Sequence, residues 1–446
     1  MIKINKLSLI ASVVIGLSSS SLLAVDNKMP AGAEETHWNE FGDGWSFNGD
    51  IRAGYVNYDY QNDNNSEGFY TTPRLSITTP EVAGFSAKVM GGFATDFGIN
   101  NEDRQSKNFV FNAPDPKSFA ILQEAYIKYS AQGHEAKIGR EEIDTPMISH
   151  DNYYLAIPDS FEVAHYTNTM FDNMMFTAGY VHKMAGVWDS AAGSGSTTEG
   201  QDGGTDFYSM SEASFVSRAD KTAADDEGAA YLGFVFDNKE HKAQVWGYTF
   251  MELYNVLFAQ YNFSHKIDGF SYDLGLQYID FQETGELESN NFSTIDHNIA
   301  SVKFAGAFDN GVDFNLAAMK FSDGEGQGST IAAFGGYPFF AMGNIVHWFN
   351  AGSFQNAANY QVDVGYDFSK VGVEGLHMDL KHVYTALDSD YSFASTGEGQ
   401  DYQKTYDLAM NYSGDSGAYV TLQYQLAQID HEEDITAFRL FGGYKF

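Results

Sequence analysis

The chain has 446 residues, including 44 Gly, 36 Phe, 28 Tyr, 8 Pro and no Cys, and its 60 Asp and Glu against 25 Lys and Arg give a formal charge of −35. Apolar content that sits in scattered rings, not in long Leu, Ile and Val blocks, excludes a polytopic helical membrane protein, and aromatics at 15% exclude a disordered chain. The acidity argues against a nucleic-acid partner, and the lack of Cys removes disulfides, thiolate metal sites and cysteine nucleophiles together.

Residues 1–24 carry Lys3 and Lys6, the apolar stretch Leu7 to Leu17, and Ser18 to Ser21 before Leu22-Leu23-Ala24. This order predicts a secretory signal cleaved after Ala24, since the apolar run is short of the roughly 20 residues a membrane helix needs. Without Lys3 and Lys6 the acids outnumber the bases further, and the protein is expected to work outside the cytoplasm. Residues 25–45 read as a short acidic periplasmic lead-in, and 46–446 as one domain.

From there to the last residue, segments of about 8 to 15 residues alternate with period two. The spacing predicts eighteen strands: 46–60, 68–79, 84–95, 119–130, 134–142, 160–169, 173–184, 229–236, 240–250, 253–263, 269–281, 295–308, 311–322, 358–369, 375–386, 401–412, 416–427 and 435–446. In the penultimate strand Val420, Leu422, Tyr424 and Leu426 oppose Thr421, Gln423 and Gln425, so one side is apolar and the other hydrated. Connections after even-numbered strands are short, such as Ser130 to Gly133 and Ser413-Gly414-Asp415, while those after odd-numbered strands are mostly long, reaching 96–118, 143–159, 185–228 and 323–357. A soluble sandwich has no reason for that asymmetry. An all-β, up-and-down antiparallel transmembrane barrel has tight periplasmic turns and long outer loops, and an even strand count lets the last strand pair with the first.

Strand parity places Arg52, Arg74, Lys88, Lys128, Lys137, Arg439 and Lys445 on the inner face, because a basic residue facing lipid costs about 2 to 4 kcal/mol at mid-membrane. Closure would bring Arg52, Arg74 and Arg439 onto three neighbouring strands, so a basic strip along one wall is expected. The aromatic residues Tyr366, Phe368, Tyr384, Phe438 and Tyr444 read as interfacial girdles. Nine acids in 185–228, with Glu283, Glu286, Glu288, Asp430, Glu432, Glu433 and Asp434 in later loops, predict a negative outer vestibule that gathers cations or holds divalent ions.

Three motifs carry a family resemblance. Gly139-Arg140-Glu141-Glu142-Ile143-Asp144-Thr145-Pro146, then Ile157-Pro158-Asp159-Ser160-Phe161-Glu162, then the strand from Met174 to Lys183 resemble the OprD-type family of outer-membrane porins. The ending Tyr444-Lys445-Phe446 is similar to the carboxyl-terminal signature that the barrel-assembly machinery of Gram-negative bacteria reads, with Phe446 as its last residue. The resemblance implies an outer-membrane location and a third outer loop, here Ile143 to Asp159, folded inward as a constriction. It also implies that the basic strip acts as a ladder for solute carboxylates, opposed by Asp144, Asp151 and Asp159 on the loop with Glu162 and Glu124 nearby. Mutual pairing of these charges to stiffen the wall is the other reading of the same residues. Leu155 stands where the family often carries a basic residue.

No phosphate-binding loop, His-Glu-x-x-His, complete calcium loop or Gly-x-Ser-x-Gly elbow is present, so neither enzyme activity nor a resident metal or cofactor is expected. The expected function is passive diffusion of small hydrophilic solutes, with outer-membrane lipids, solutes and the assembly machinery as partners and a homotrimer as one assembly of the class. A surface adhesin or receptor that uses its acidic loops, with the barrel as anchor, is the alternative.

Overall fold

A barrel standing in hydrocarbon must pair every strand on both edges, because lipid offers no partner to an open N–H or C=O. The computed structural model describes residues 38–41, 44–59, 66–100, 118–150, 157–185, 207–213, 227–285, 296–323, 334–345, 356–388, 401–414 and 416–446, and there it meets that requirement. The barrel strands are β1 (Trp45–Asp59), β2 (Ser66–Thr78), β3 (Phe85–Ala94), β4 (Phe119–Ala131), β5 (His134–Glu141), β6 (Ser160–Asn168), β7 (Met174–Ala185), β8 (Ala229–Asp237) and β9 (His241–Phe250). The other half consists of β10 (Tyr254–Ile267), β11 (Phe270–Glu283), β12 (His297–Phe308), β13 (Val312–Phe321), β14 (Ala358–Asp367), β15 (Leu376–Ala386), β16 (Tyr402–Ser413), β17 (Ala418–Ile429) and β18 (Ile435–Lys445). Each pairs antiparallel with its neighbours in sequence. The ring closes where β1 meets β18, in register from Asp50 opposite Lys445 to Asp59 opposite Thr436. Gly49 and Phe446 exchange both backbone hydrogen bonds at 2.8 and 2.9 Å, so the last residue locks the seam.

The eighteen expected strands and the eighteen barrel strands correspond one to one, and Tyr208–Ser209 adds a two-residue strand on β7. The lead-in differs in part: Trp38–Phe41 is a short strand that folds back on β1, with Phe41 opposite Trp45. The expected signal 1–24, most of the acids in 185–228, Glu286, Glu288, Asp151 and Leu155 lie outside the described residues.

Period-two geometry sorts the side chains inside out relative to a soluble protein. Ile138, Leu232, Leu276, Val302, Val362 and Leu380 are exposed on the outer wall, whereas Asn315, Gln361, Thr405, Thr421, Gln423 and Gln425 are buried inside. Rings stack along the turn end of β9 to β13, from His241 and Tyr261 through Phe263, Tyr272 and Phe270 to Phe308 and Phe314. The polar-tipped rings among them, Tyr261 and Tyr272, are of the kind that settles at the membrane–water boundary. Turns at that end are tight: Gln132 and Gly133 link β4 to β5 with φ of 50° and 82°, as a two-residue primed turn requires.

The outward position of Leu276, 57% exposed, predicts a cost. Leu276→Arg should lower unfolding stability in vesicles by about 2 to 4 kcal/mol, measured by urea titration, if it lies near the bilayer midplane.

Candidate functional site

The wall positions its charges by register. Asp50 on β1 lies opposite Arg74 on β2, and the guanidinium fork grips the carboxylate at 2.6 Å from Nε and 3.1 Å from Nη2. Its remaining Nη1 donates to Glu142 Oε1 at 2.7 Å. A bulge in β4 adds a second hold on the same carboxylate, because the register shift beside Met90 leaves Gln123 as an extra residue. Two consecutive polar side chains then turn inward. Gln123 Nε2 donates to Glu142 Oε1 at 2.7 Å and to the Pro158 carbonyl at 3.2 Å, while Glu124 meets Lys88 at 2.6 Å. The root and the end of segment 142–159 are therefore tied to the wall. Burial alone would push the Glu142 carboxyl up, but Arg74, with His150 and Lys88 nearby, holds it below the usual carboxylate range. The tie is complete above that range and weakens as pH falls through the lowered value.

Within the segment, Thr145 Oγ1 donates to the Ile148 carbonyl at 2.9 Å and Ser149 Oγ to Asp144 Oδ1 at 3.1 Å, which shapes a tight loop inside the lumen. Ile143, Met147 and Ile148 are buried there against Phe161, Tyr248 and Phe250 of the wall. A second segment, residues 334–345, crosses the lumen beside it. Ser149 N donates to the Phe334 carbonyl at 2.9 Å, and Ile148 and Gly335 form an antiparallel bridge. Any side chain at Gly335 would collide with the Ser149 carbonyl, and one at Gly336 with that of Pro146. Only glycines permit so close a crossing.

A backbone buried in a lumen needs partners as much as one in lipid. The inner wall supplies them to 334–345. Gln277 donates to the Pro338 carbonyl at 2.6 Å and Asn359 to that of Ala341 at 3.0 Å. Gln361 Oε1 accepts from Met342 N at 3.1 Å, Asp407 Oδ1 from Asn344 N at 2.8 Å, and Lys381 Nζ reaches Asn344 Oδ1 at 2.6 Å. Arg439 donates to Tyr58 Oη and, at 3.4 Å, to the Ile345 carbonyl. The second segment thus spans from β11 to β18.

Of the residues expected along the basic strip, Arg52, Arg74 and Arg439 are buried on the inner wall of β1, β2 and β18. Lys88, Lys128 and Lys137, on β3, β4 and β5, keep between a fifth and about a quarter of their side chains open to water. Lys137 pairs with Glu135 at 3.4 Å and Glu141 at 3.3 Å, and Lys128 lies 3.9 Å from Glu135. Lys445 is half-buried opposite Asp50 at the seam. Among the expected acids, Glu124 faces Lys88, Asp159 is buried beside Gly335, and Asp144 is exposed on the loop.

Glu162 is a correction. It pairs with Arg140 at 2.9 Å on the parity of the exposed Ile138 and Ala164, away from the lumen. Phe161 and Val163 take the inner positions instead, because here the wall packs against the apolar side of the inward segment. Sequence reasoning also missed an aspartate wall: Asp313, Asp363, Asp379 and Asp407 on β13 to β16 are all buried on the inner face.

Two substitutions probe this arrangement. Arg74→Gln removes the cation that grips both Asp50 and Glu142 and should cost about 3 to 5 kcal/mol in unfolding stability, less where Arg52, Lys88 or lumen water compensates. Gly335→Val should force 334–345 off its neighbour and open Phe334, Tyr337 and Phe339 to chymotrypsin in a barrel that still migrates as folded.

No family model matches the sequence, and no curated relative does. Solved structures do match the fold. OpdK from Pseudomonas aeruginosa superposes with a TM-score of 0.71 at 15% identity over 90% of this chain and 98% of that one, and a further structure of OpdK, with vanillate, with a TM-score of 0.70. OccAB4 from Acinetobacter baumannii gives 0.69 at 16% identity over 92% and 100%, and OccD3 (OpdP) from Pseudomonas aeruginosa 0.67 at 18% over 93% and 94%. A closed antiparallel ring with an apolar outer wall and a polar inner wall is the architecture of a membrane-spanning β-barrel, and the match shows that this chain has the fold of the OprD/Occ outer-membrane channels.

Proposed function

We propose that this chain is a passive outer-membrane channel for small hydrophilic solutes, with preference for those that carry a carboxylate. The observation that carries the reading is the division of charge inside the barrel. In a ring of eighteen strands β4 and β13 are diametrically opposed, so the water-accessible Lys88, Lys128 and Lys137, each beside a glutamate, lie across the lumen from Asp313 and Asp363, with Asp379 and Asp407 on the next two strands. Opposed charges across a narrow aqueous gap create a transverse field that aligns dipolar solutes. The inward segments narrow the passage and set what fits. Lysines on one side supply point charges for a carboxylate, and the structure of OpdK with vanillate, itself a carboxylate, supports that class of cargo. Solutes cross by diffusion, without turnover or cofactor, and Phe446 serves as the assembly signature.

Planar-bilayer recording of the refolded chain tests this reading. Discrete conductance steps are expected, and their absence from folded protein would reject it. Replacing Lys88, Lys128 and Lys137 with Gln should shift the reversal potential in a salt gradient towards cations by several millivolts, while an unchanged potential would remove these lysines from the solute path.

A further inference from the structure

Three consecutive strands place an unusual set of side chains on the inner wall. Asp313, Gly365 and Asp379 are register partners across β13, β14 and β15, and Asn315, Asp363 and Lys381 form the next row. At Gly365 a Cβ would collide with Asp313 Oδ1 and come within 2.8 Å of His377 Cε1, so the missing side chain makes the hollow into which the carboxylate and imidazole both lean. His377 Nε2 lies 2.8 Å from Asp313 Oδ2, and its Nδ1 lies 3.3 Å from Asp379 Oδ2. One donor atom from each of the three residues falls within 4.8 Å of the others.

A second observation points the same way. Asp363 is 2% exposed, and neither of its carboxylate oxygens has a hydrogen-bond partner among the described residues. It lies within electrostatic reach of Asp313, Asp379 and Asp407. Lys381, its register partner, donates to Asn344 Oδ1 and acts on Asp363 only through space. The neighbouring Asn315 Oδ1, also buried, accepts no hydrogen bond either. Buried carboxylates concentrated in this way are costly unless cations neutralise them, and Lys381 with one imidazole is a small counterweight to Asp313, Asp363, Asp379 and Asp407.

We propose that Asp313, His377 and Asp379, with Asp363 in the adjacent row, bind a divalent transition-metal cation of the Zn2+ type on the inner wall near the periplasmic mouth. A ligand set of one imidazole nitrogen with carboxylate oxygens suits such an ion better than Mg2+ or Ca2+, which take oxygen ligands. Donor atoms about 2.0 Å from a tetrahedral ion stand about 3.3 Å apart. The imidazole ligates a given ion through one nitrogen only, and with one donor atom from each residue already within 4.8 Å of the others, closing to that spacing takes side-chain shifts of about 1.5 Å. The His377 side chain is 31% exposed, which leaves a route in from the lumen water. Binding does not depend on whether the barrel conducts.

The test uses the refolded full chain in detergent. Titration with Co2+, followed by its visible absorption bands and then displaced by Zn2+, should show one saturable site per chain with a nitrogen ligand. Asp313→Asn and His377→Gln should each weaken binding at least tenfold, Gly365→Val should abolish it by filling the hollow, and Asp309→Asn, on an exposed turn, should leave it unchanged. Displacement of Co2+ by equimolar Mg2+, lack of one-to-one saturation, or full-strength binding in a folded His377→Gln barrel would each overturn the proposal. The last comparison stands on its own if the glycine variant does not fold.

Discussion

The whole structure depends on one constraint: a backbone amide in hydrocarbon has no solvent partner, so it must be paired within the protein. Closure at β1 and β18 follows from it, and so does the exchange of hydrogen bonds between Gly49 and Phe446 that completes the last turn of the seam. Once the ring is closed, strand geometry alone divides the side chains between lipid and lumen. The apolar outer wall and the polar inner wall are two readings of the same alternation.

The same rule governs what fills the lumen. Two segments leave the outer end and turn inward, and their buried backbone groups find partners on wall side chains: Gln277, Asn359, Gln361 and Asp407 for the second segment, Gln123 for the end of the first. Polar residues on the inner face therefore do more than contact water. Where the segments present apolar side chains, the inner wall becomes apolar as well, and Phe161, Phe250, Phe258, Phe281 and Phe321 are buried there. The outer half of the barrel has a packed core; the remainder keeps charged walls.

Charge placement reconciles rigidity with access. Arg52, Arg74 and Arg439 are deeply buried, and Arg74 and Arg439 are committed to structural contacts, Arg74 to Asp50 and Glu142 and Arg439 to Tyr58 and Ile345. The lysines of β3 to β5 remain within reach of water although they too have acidic neighbours. Arg74 and Arg439 hold the wall and its inserted segments, and under the proposed function the lysines are the cations offered to a solute.

The strand plan was legible in the amino-acid order because period-two alternation and turn residues are local signals, and the eighteen predicted segments fall on the eighteen observed strands. The inward loop from Ile143 was readable only through its family resemblance. The second segment left a weaker trace: residues 331–346 carry no charged side chain and include Gly335-Gly336, unlike a solvated outer loop. Parity failed at Glu162, where a rule of polar inside and apolar outside does not hold beside a packed insert. The cluster of Asp313 with His377 and Asp379 has no sequence spacing to reveal it, since β14 with its long connection separates the partners. Alternation along the chain determines which face each residue takes. Only closure of the ring decides which distant residues share a wall, because register between strands is a property of the sheet and not of any one segment.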